Sequence, residues 1–303
     1  MRIVSLLPSA TEIAFALGLE DDLKGVTDGC DYPAAATAKP VVSRSRLDVA
    51  DDASAAVIDG AVRDAVKDGE ALYALDADLI QRIQPDLILT QDLCRVCAVP
   101  TGDVEDALEV LGCQADVLSL DPHTVDDVLD DIIRVGEHAG REGEGRRLVD
   151  ELRQRMAAVE AQASQLEAVR VFPLEWLEPP FSGGHWVPDL IARAGGTPVL
   201  CTPGEHSRPL DWPEVAAAAP EVVVFMPCGY DLAAATTEAE GLAGVSELRD
   251  TPAWQAGRVW VVDATSYFSR PGPRIVDGLE LLAWIIHPSA FPEPPAGRAA
   301  AIS

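Results

Sequence analysis

Between Arg141 and Glu167 the chain carries one unbroken apolar stripe. Leu148, Leu152, Met156, Val159, Ala163 and Leu166 recur three or four residues apart, with no glycine or proline after Gly145. That spacing puts all six side chains on one face of an α-helix of about 25 residues. Such a helix either packs along one lobe or connects two, and the pattern on its two sides favours a connector. Strand-like runs alternate with helical ones before it, and the alternation restarts after it.

Arg2–Leu7 is an apolar run bounded by Pro8 and followed by Ser9-Ala-Thr-Glu12, which reads as a capping box ahead of a helix closed by Gly18. Further buried strands are expected at Gly25–Thr27, Val41–Val42, Leu87–Thr90 and Ala115–Leu120. Helices are expected at Ala53–Lys67, Ala77–Ile83, Val104–Leu111 and Val125–Glu137. In the second half, strands fall at Val169–Leu174, Val222–Phe225 and Val259–Val262, and helices at Val187–Ala194, Pro213–Ala218 and Pro273–Ile286. Strands alternating with helices imply an α/β fold: two lobes with mostly parallel sheets flanked by helices, joined by one long rigid α-helix. The expected boundaries are an N-terminal lobe over 1–140, the connecting helix over 141–168, a C-terminal lobe over 169–290 and a tail over 291–303. The alanine- and proline-rich stretch Ser289–Ser303 reads as a frayed terminus.

Charge narrows the partners. Fifty acidic residues face 23 basic ones, a formal charge of −27, and only Lys24, Lys39 and Lys67 are lysines. A field of that sign repels nucleic acid and anionic membrane surfaces, so nucleic-acid binding is not expected of this acidic protein. No apolar stretch approaches the length of a bilayer span, so no membrane insertion is expected. The apolar run at Ile3–Leu7 is too short for a secretory leader and no small-residue cleavage site follows, so a cytoplasmic protein is expected. In that compartment Cys30, Cys94, Cys97, Cys113, Cys201 and Cys228 would not form structural disulfides.

Two segments echo each other. Gln84-Pro-Asp-Leu-Ile-Leu-Thr-Gln91 precedes Cys94, and Ala219-Pro-Glu-Val-Val-Val-Phe-Met226 precedes Cys228. Each reads as proline, acid, buried strand and cysteine-bearing turn. Ligands of open parallel sheets sit beyond the carboxyl ends of the strands, where both turns belong.

A family resemblance rests on Ile3-Val-Ser-Leu-Leu-Pro-Ser-Ala-Thr-Glu-Ile13, the long connector helix and Tyr267-Phe-Ser-Arg-Pro-Gly-Pro-Arg274. Together these resemble the class III substrate-binding proteins of ABC importers, the cobalamin and iron-chelate type, over about residues 1–288. The resemblance implies two α/β lobes on a helical backbone with limited hinge closure, clasping a corrinoid, haem or ferric siderophore in the cleft between them. An ABC importer is the implied partner. Exported members carry a leader or lipid anchor, and without one the chain looks closest to a leaderless, cobalamin-binding-like branch.

Three groups of residues are candidates for the site. Cys94-Arg-Val-Cys97, with Cys30 and Cys228 at other strand ends, forms a cysteine cluster. It suits zinc or an iron–sulfur cluster, while a redox pair or plain packing are the alternatives. Cys113 and Cys201 are assigned to packing. In Glu175–Trp186, the rings of Trp176, Phe181 and Trp186 offer flat apolar surfaces for a macrocycle, and His185 is either an axial ligand to cobalt or iron or an ordinary polar loop residue. Tyr267, Phe268, Arg270 and Arg274 form the third group. Its arginines either meet a carboxylate or phosphate on the ligand or pair with local acids. Ser43-Arg-Ser-Arg46 is a weaker basic site. The five histidines, at 123, 138, 185, 206 and 287, show no ligand spacing.

No phosphate loop, dinucleotide fingerprint, zinc-protease helix or nucleophile elbow occurs, and no general base has an evident partner. The expected function is binding of a corrinoid or other metal chelate rather than catalysis. The alternative is a cytosolic metalloprotein or enzyme with a cysteine-ligated zinc or iron–sulfur cofactor.

Overall fold

The computed structural model describes residues 1–47, 57, 60–62, 64, 67, 72–92, 99–111 and 113–302. The helix expected at Ala53–Lys67 falls largely outside them, and so do Cys94 and Cys97. The chain divides into two compact units. The first comprises Met1–Pro122 and Asp127–Asp150, and the second His123–Asp126 and Glu151–Ser303.

In the first unit six strands form one sheet: β1 (Ile3–Ser5), β2 (Leu23–Thr27), β3 (Val41–Ser45), β4 (Tyr73–Leu75), β5 (Leu87–Thr90) and β6 (Asp116–Ser119), in the order β4-β3-β2-β1-β5-β6. Every pairing is parallel except β3 with β4. All four residues of β5 are buried, as a strand with neighbours on both edges and helices over both faces requires. Helices α1 (Pro8–Ala16), α2 (Ala77–Ile83), α3 (Thr101–Leu111), α4 (Val125–His138) and α5 (Glu142–Ala163) accompany these strands, and the boundary between units falls inside α5.

The capping-box expectation is corrected. Helix α1 begins at Pro8, with extended Leu7 as its N-cap and no side-chain cap bond, so Ser9 and Glu12 are buried helical residues. Proline at the first helical position needs no partner for an N–H it lacks, which moves the start ahead of Ser9. Gly18 ends the helix with φ at 69°, a left-handed conformation that glycine adopts without steric cost.

The second unit holds β7 (Val169–Trp176), β8 (Phe181–Ser182), β9 (Gly196–Pro198), β10 (Val222–Phe225), β11 (Val259–Val262) and β12 (Ala299–Ala301). They run β12-β11-β10-β7-β8, with β9 also on β7. The pairs β7–β10, β10–β11 and β7–β9 are parallel, and β8 and β12 are antiparallel. Phe172, Leu174, Val223, Phe225, Val259 and Val261 build the core of this sheet. Burying a side chain such as Phe225 contributes about 1.5–3 kcal/mol. Helices α6 (Val187–Arg193), α7 (Trp212–Ala218), α8 (Leu232–Ala239), α9 (Ala264–Tyr267) and α10 (Ile275–Ile286) belong to this unit. The frayed-terminus expectation is corrected too. Ala299, Ala300 and Ala301 pair with Val262, Val261 and Trp260, and Ile302 donates its N–H to Val259. Those bonds need only backbone, so alanine forms them despite its low strand preference. No helix among the described residues is long and apolar enough to cross a membrane.

One buried carboxylate in the first unit has a thermodynamic consequence. On α4, Asp131 is 4% exposed; Oδ1 accepts from Arg134 Nη1 at 2.6 Å, while buried Oδ2 has no hydrogen-bond partner. Burial pushes its pKa up to about 6 against the lowering effect of Arg134. The folded chain therefore binds this proton more tightly than the unfolded chain, so stability is fully present below the ordinary carboxylate value and is lost as pH rises through 6. Asp131→Asn is expected to gain about 1–3 kcal/mol near pH 7.5 and to flatten the stability profile between about pH 4 and 6. Urea unfolding across that range checks it.

Candidate functional site

Because β7, β10 and β11 are parallel, the chain leaves all three at the same edge of the second sheet. Trp176, the last residue of β7, is half-buried and lies opposite Phe181 in the β7–β8 register. Its ring meets that of Tyr230, which follows β10, edge to face at 6.0 Å. Thr265, after β11, donates its N–H to the carbonyl of Tyr230 at 3.1 Å, tying the second loop to the third. The indole Nε1 of Trp176 is buried without a hydrogen-bond partner.

On the third loop, Tyr267 ends α9, with the guanidinium of Arg274 at 6.0 Å from its ring centroid and that of Arg298 at 4.9 Å. Burial holds its phenol above the ordinary value, so the O–H is retained at neutral pH. Arg298 stands immediately before β12, a position the sequence pattern did not mark. Helix α10 approaches this loop through Gly278, where a Cβ would come 2.5 Å from the carbonyl oxygen of Tyr267. Arg270 and Arg274 are both half-buried.

Phe268 and Trp186 are interior. They are 2% and 6% exposed, and Trp186 Nε1 donates to the Phe268 carbonyl at 2.8 Å. That bond joins the start of α6 to the loop after α9. Beside Trp186, Gly184 donates its N–H to Glu175 Oε1 at 3.1 Å.

Histidine supplies a cluster that spacing could not reveal. His123, His185 and His206 bring one ligand nitrogen each within 4.8 Å of the others. Backbone bonds build it: His185 N–H donates to the Glu205 carbonyl at 2.6 Å, and Gly204 N–H donates back to the His185 carbonyl at 3.0 Å. His185 itself has φ at 52°, a left-handed conformation. The two loops are this close only because residue 184 is glycine; a Cβ there would lie 2.2 Å from the backbone nitrogen of Ser207. His185 Nε2 and His206 Nδ1 are 2.9 Å apart, and His123 Nδ1 is 3.2 Å from the Gly204 carbonyl oxygen. Burial, then the other two imidazoles, depress the His185 pKa to about 4, which leaves its ring neutral at physiological pH.

Four of the six cysteines are described, and Cys94 and Cys97 lie outside the described residues. Cys30, in the first unit, is 4% exposed with Sγ 3.1 Å from Thr11 Oγ1. Cys228, in the second, is exposed, and Cys30, Cys113, Cys201 and Cys228 are all unbridged. Arg44 and Arg46 are exposed, flanking the ordered strand end at Ser45.

A family model described as periplasmic binding protein matches residues 3–265. The vitamin B12-binding protein of Vibrio cholerae serotype O1 is 23% identical over 290 residues, covering 92% of this chain and 86% of that protein. Among solved structures, a periplasmic heme binding protein from Pseudomonas aeruginosa superposes with a TM-score of 0.73 at 21% identity, covering 100% of this chain and 98% of that one. An ABC transporter substrate-binding protein from Listeria monocytogenes EGD-e reaches 0.72 at 16% identity, over 95% and 99% of the two chains. These findings overturn the cytoplasmic expectation, because the matched family and the heme-binding neighbour are periplasmic. That expectation rested on the opening residues alone, and a leader is no part of the domain that folds.

Gly184→Ala is expected to cost about 1–3 kcal/mol, since the loop at 205–207 must move to admit the methyl group. Gly244→Ala, with nothing within 4 Å of the added carbon, is expected to change stability little. Chemical unfolding of the two variants side by side makes the comparison.

Proposed function

The chain belongs to the periplasmic binding protein family, and from that premise we propose that it is a substrate-binding protein for a metal chelate, a corrinoid or haem, handed on to an ABC importer. The observation that carries this reading is the set of side chains gathered at one edge of the second sheet. Trp176, Phe181 and Tyr230 lie together there, and the guanidinium groups of Arg274 and Arg298 both lie within 6.0 Å of the Tyr267 ring centroid.

Aromatic faces stack on a flat, apolar macrocycle and lose little conformational freedom in doing so. Guanidinium groups supply the complement to acidic substituents on its rim, in a planar fork that carboxylates match. The contrast with the rest of the molecule adds weight, because positive charge is scarce in a chain with formal charge −27. Capture of cobalamin by the Vibrio relative and of heme by the Pseudomonas neighbour supports the same ligand class. A cysteine-ligated zinc or iron–sulfur cofactor gains no such support, and Cys30 is already packed against Thr11.

Titration with hydroxocobalamin and, separately, with haem is expected to quench tryptophan fluorescence saturably at one equivalent for one of the two. Arg274→Ala and Arg298→Ala are each expected to weaken that complex about tenfold, the effect of one lost charge-assisted hydrogen bond. Flat titrations with both ligands would remove the proposal.

A further inference from the structure

We propose that His123, His185 and His206 form a binding site for one divalent first-row transition cation of the zinc class, independent of the chelate. The three imidazoles come from three separate stretches of one unit: the segment His123–Asp126, the turn after β8, and the loop before α7. Their nitrogens converge within 4.8 Å. The rings do not stack. His185 and His206 stand at 88° with centroids 4.8 Å apart, and His123 and His206 at 81° and 5.5 Å. His123 and His185 are tilted at 53° with centroids 5.7 Å apart, so no pair is face to face and each ring can turn a nitrogen toward a common centre.

The distances are close to those a metal demands. A tetrahedral ion with nitrogen ligands at about 2.0–2.1 Å sets those nitrogens roughly 3.4 Å apart. His185 Nε2 and His206 Nδ1, at 2.9 Å, need only open slightly, and the widest separation in the trio closes by less than about 1.5 Å, a side-chain adjustment. The backbone already holds the ligands in place through the reciprocal bonds between His185 and residues 204 and 205. Outer partners orient the rings as well. With Nδ1–H donating to the Gly204 carbonyl, His123 carries its lone pair on Nε2.

Chemistry selects the ion. Three imidazole ligands favour zinc, cobalt, nickel or copper over magnesium or calcium, which prefer oxygen. Three protein ligands leave a fourth position for water or an exogenous group. The net charge of −27 raises the local concentration of any cation. None of these arguments uses the chelate reading, and the test uses the metal alone.

The test strips the full chain with a chelator, then titrates Zn²⁺ by calorimetry and Co²⁺ by absorption. The expected result is one equivalent bound with Kd on the order of 10⁻⁶ M or tighter, and visible cobalt bands without a sulfur-to-cobalt band in the near ultraviolet. His123→Gln and His206→Gln are each expected to weaken binding at least about tenfold, with unfolding midpoints of the metal-free protein unchanged; the Cys94→Ser, Cys97→Ser double variant should bind as the parent does. The proposal is overturned by an absence of stoichiometric binding, by binding that survives both histidine substitutions, or by a sulfur-to-cobalt band. The cobalt spectrum of the unsubstituted protein decides the matter even where a variant fails to fold.

Discussion

The parallel pairing of β10 with β7 on one side and β11 on the other is the constraint from which the candidate site follows. Parallel strands share a direction, so the three chain segments leaving them emerge together, however far apart they lie in sequence. The pairing also requires that β10 be covered on both faces, and all four of its residues are buried. A chain that met this demand with Val222, Val223, Val224 and Phe225 had no freedom to place polar recognition groups inside the strand. Partly exposed aromatic and polar groups are left to the strand ends and the segments after them, where Trp176, Tyr230 and Tyr267 stand.

Burial demand also explains which parts of the fold were readable in the sequence. β5, β10 and β11 occur where nearly continuous apolar runs predicted them, because a central parallel strand is covered on both faces. The edge elements escaped. β12 is three alanines held by backbone bonds, and β8 is two residues long, so neither carries a side-chain pattern. Helix α1 starts one residue ahead of the supposed cap, since proline and serine both mark helix starts and only the local dihedrals choose between them. At the site, aromatic type and strand-end position pointed to Trp176, Phe181 and Tyr267. Nothing local marked Arg298, which reaches Tyr267 through the pairing of the C-terminal strand.

The histidines show the limit of spacing arguments most clearly. A helical or turn motif betrays metal ligands because a single element carries two of them. Here each of the three sits on a different stretch, and one glycine-dependent contact brings the His185 and His206 stretches together. Gly184 lies against the backbone of Ser207, and Gly183 against the ring of Pro173, where a Cβ would come within 2.8 Å. A pair of adjacent glycines before a histidine is therefore the signal that was present, and it reads as close backbone approach rather than as flexibility.

The same short segment serves both ends of this arrangement. Gly184 donates to Glu175, the neighbour of Trp176; His185 bonds the loop that carries His206; Trp186 donates to the carbonyl of Phe268, the neighbour of Tyr267. Three consecutive residues thus anchor to the first loop of the sheet edge, to the histidine loop and to the third loop. Gly184 packs directly against the backbone of Ser207 and Trp186 is 6% exposed, so the residues on both sides of His185 are held by packing as well as by these bonds. The segment that presents the imidazole of His185 is therefore the one that ties together the neighbours of Trp176 and Tyr267, and the sheet-edge surface is braced by residues that take no part in its aromatic contacts.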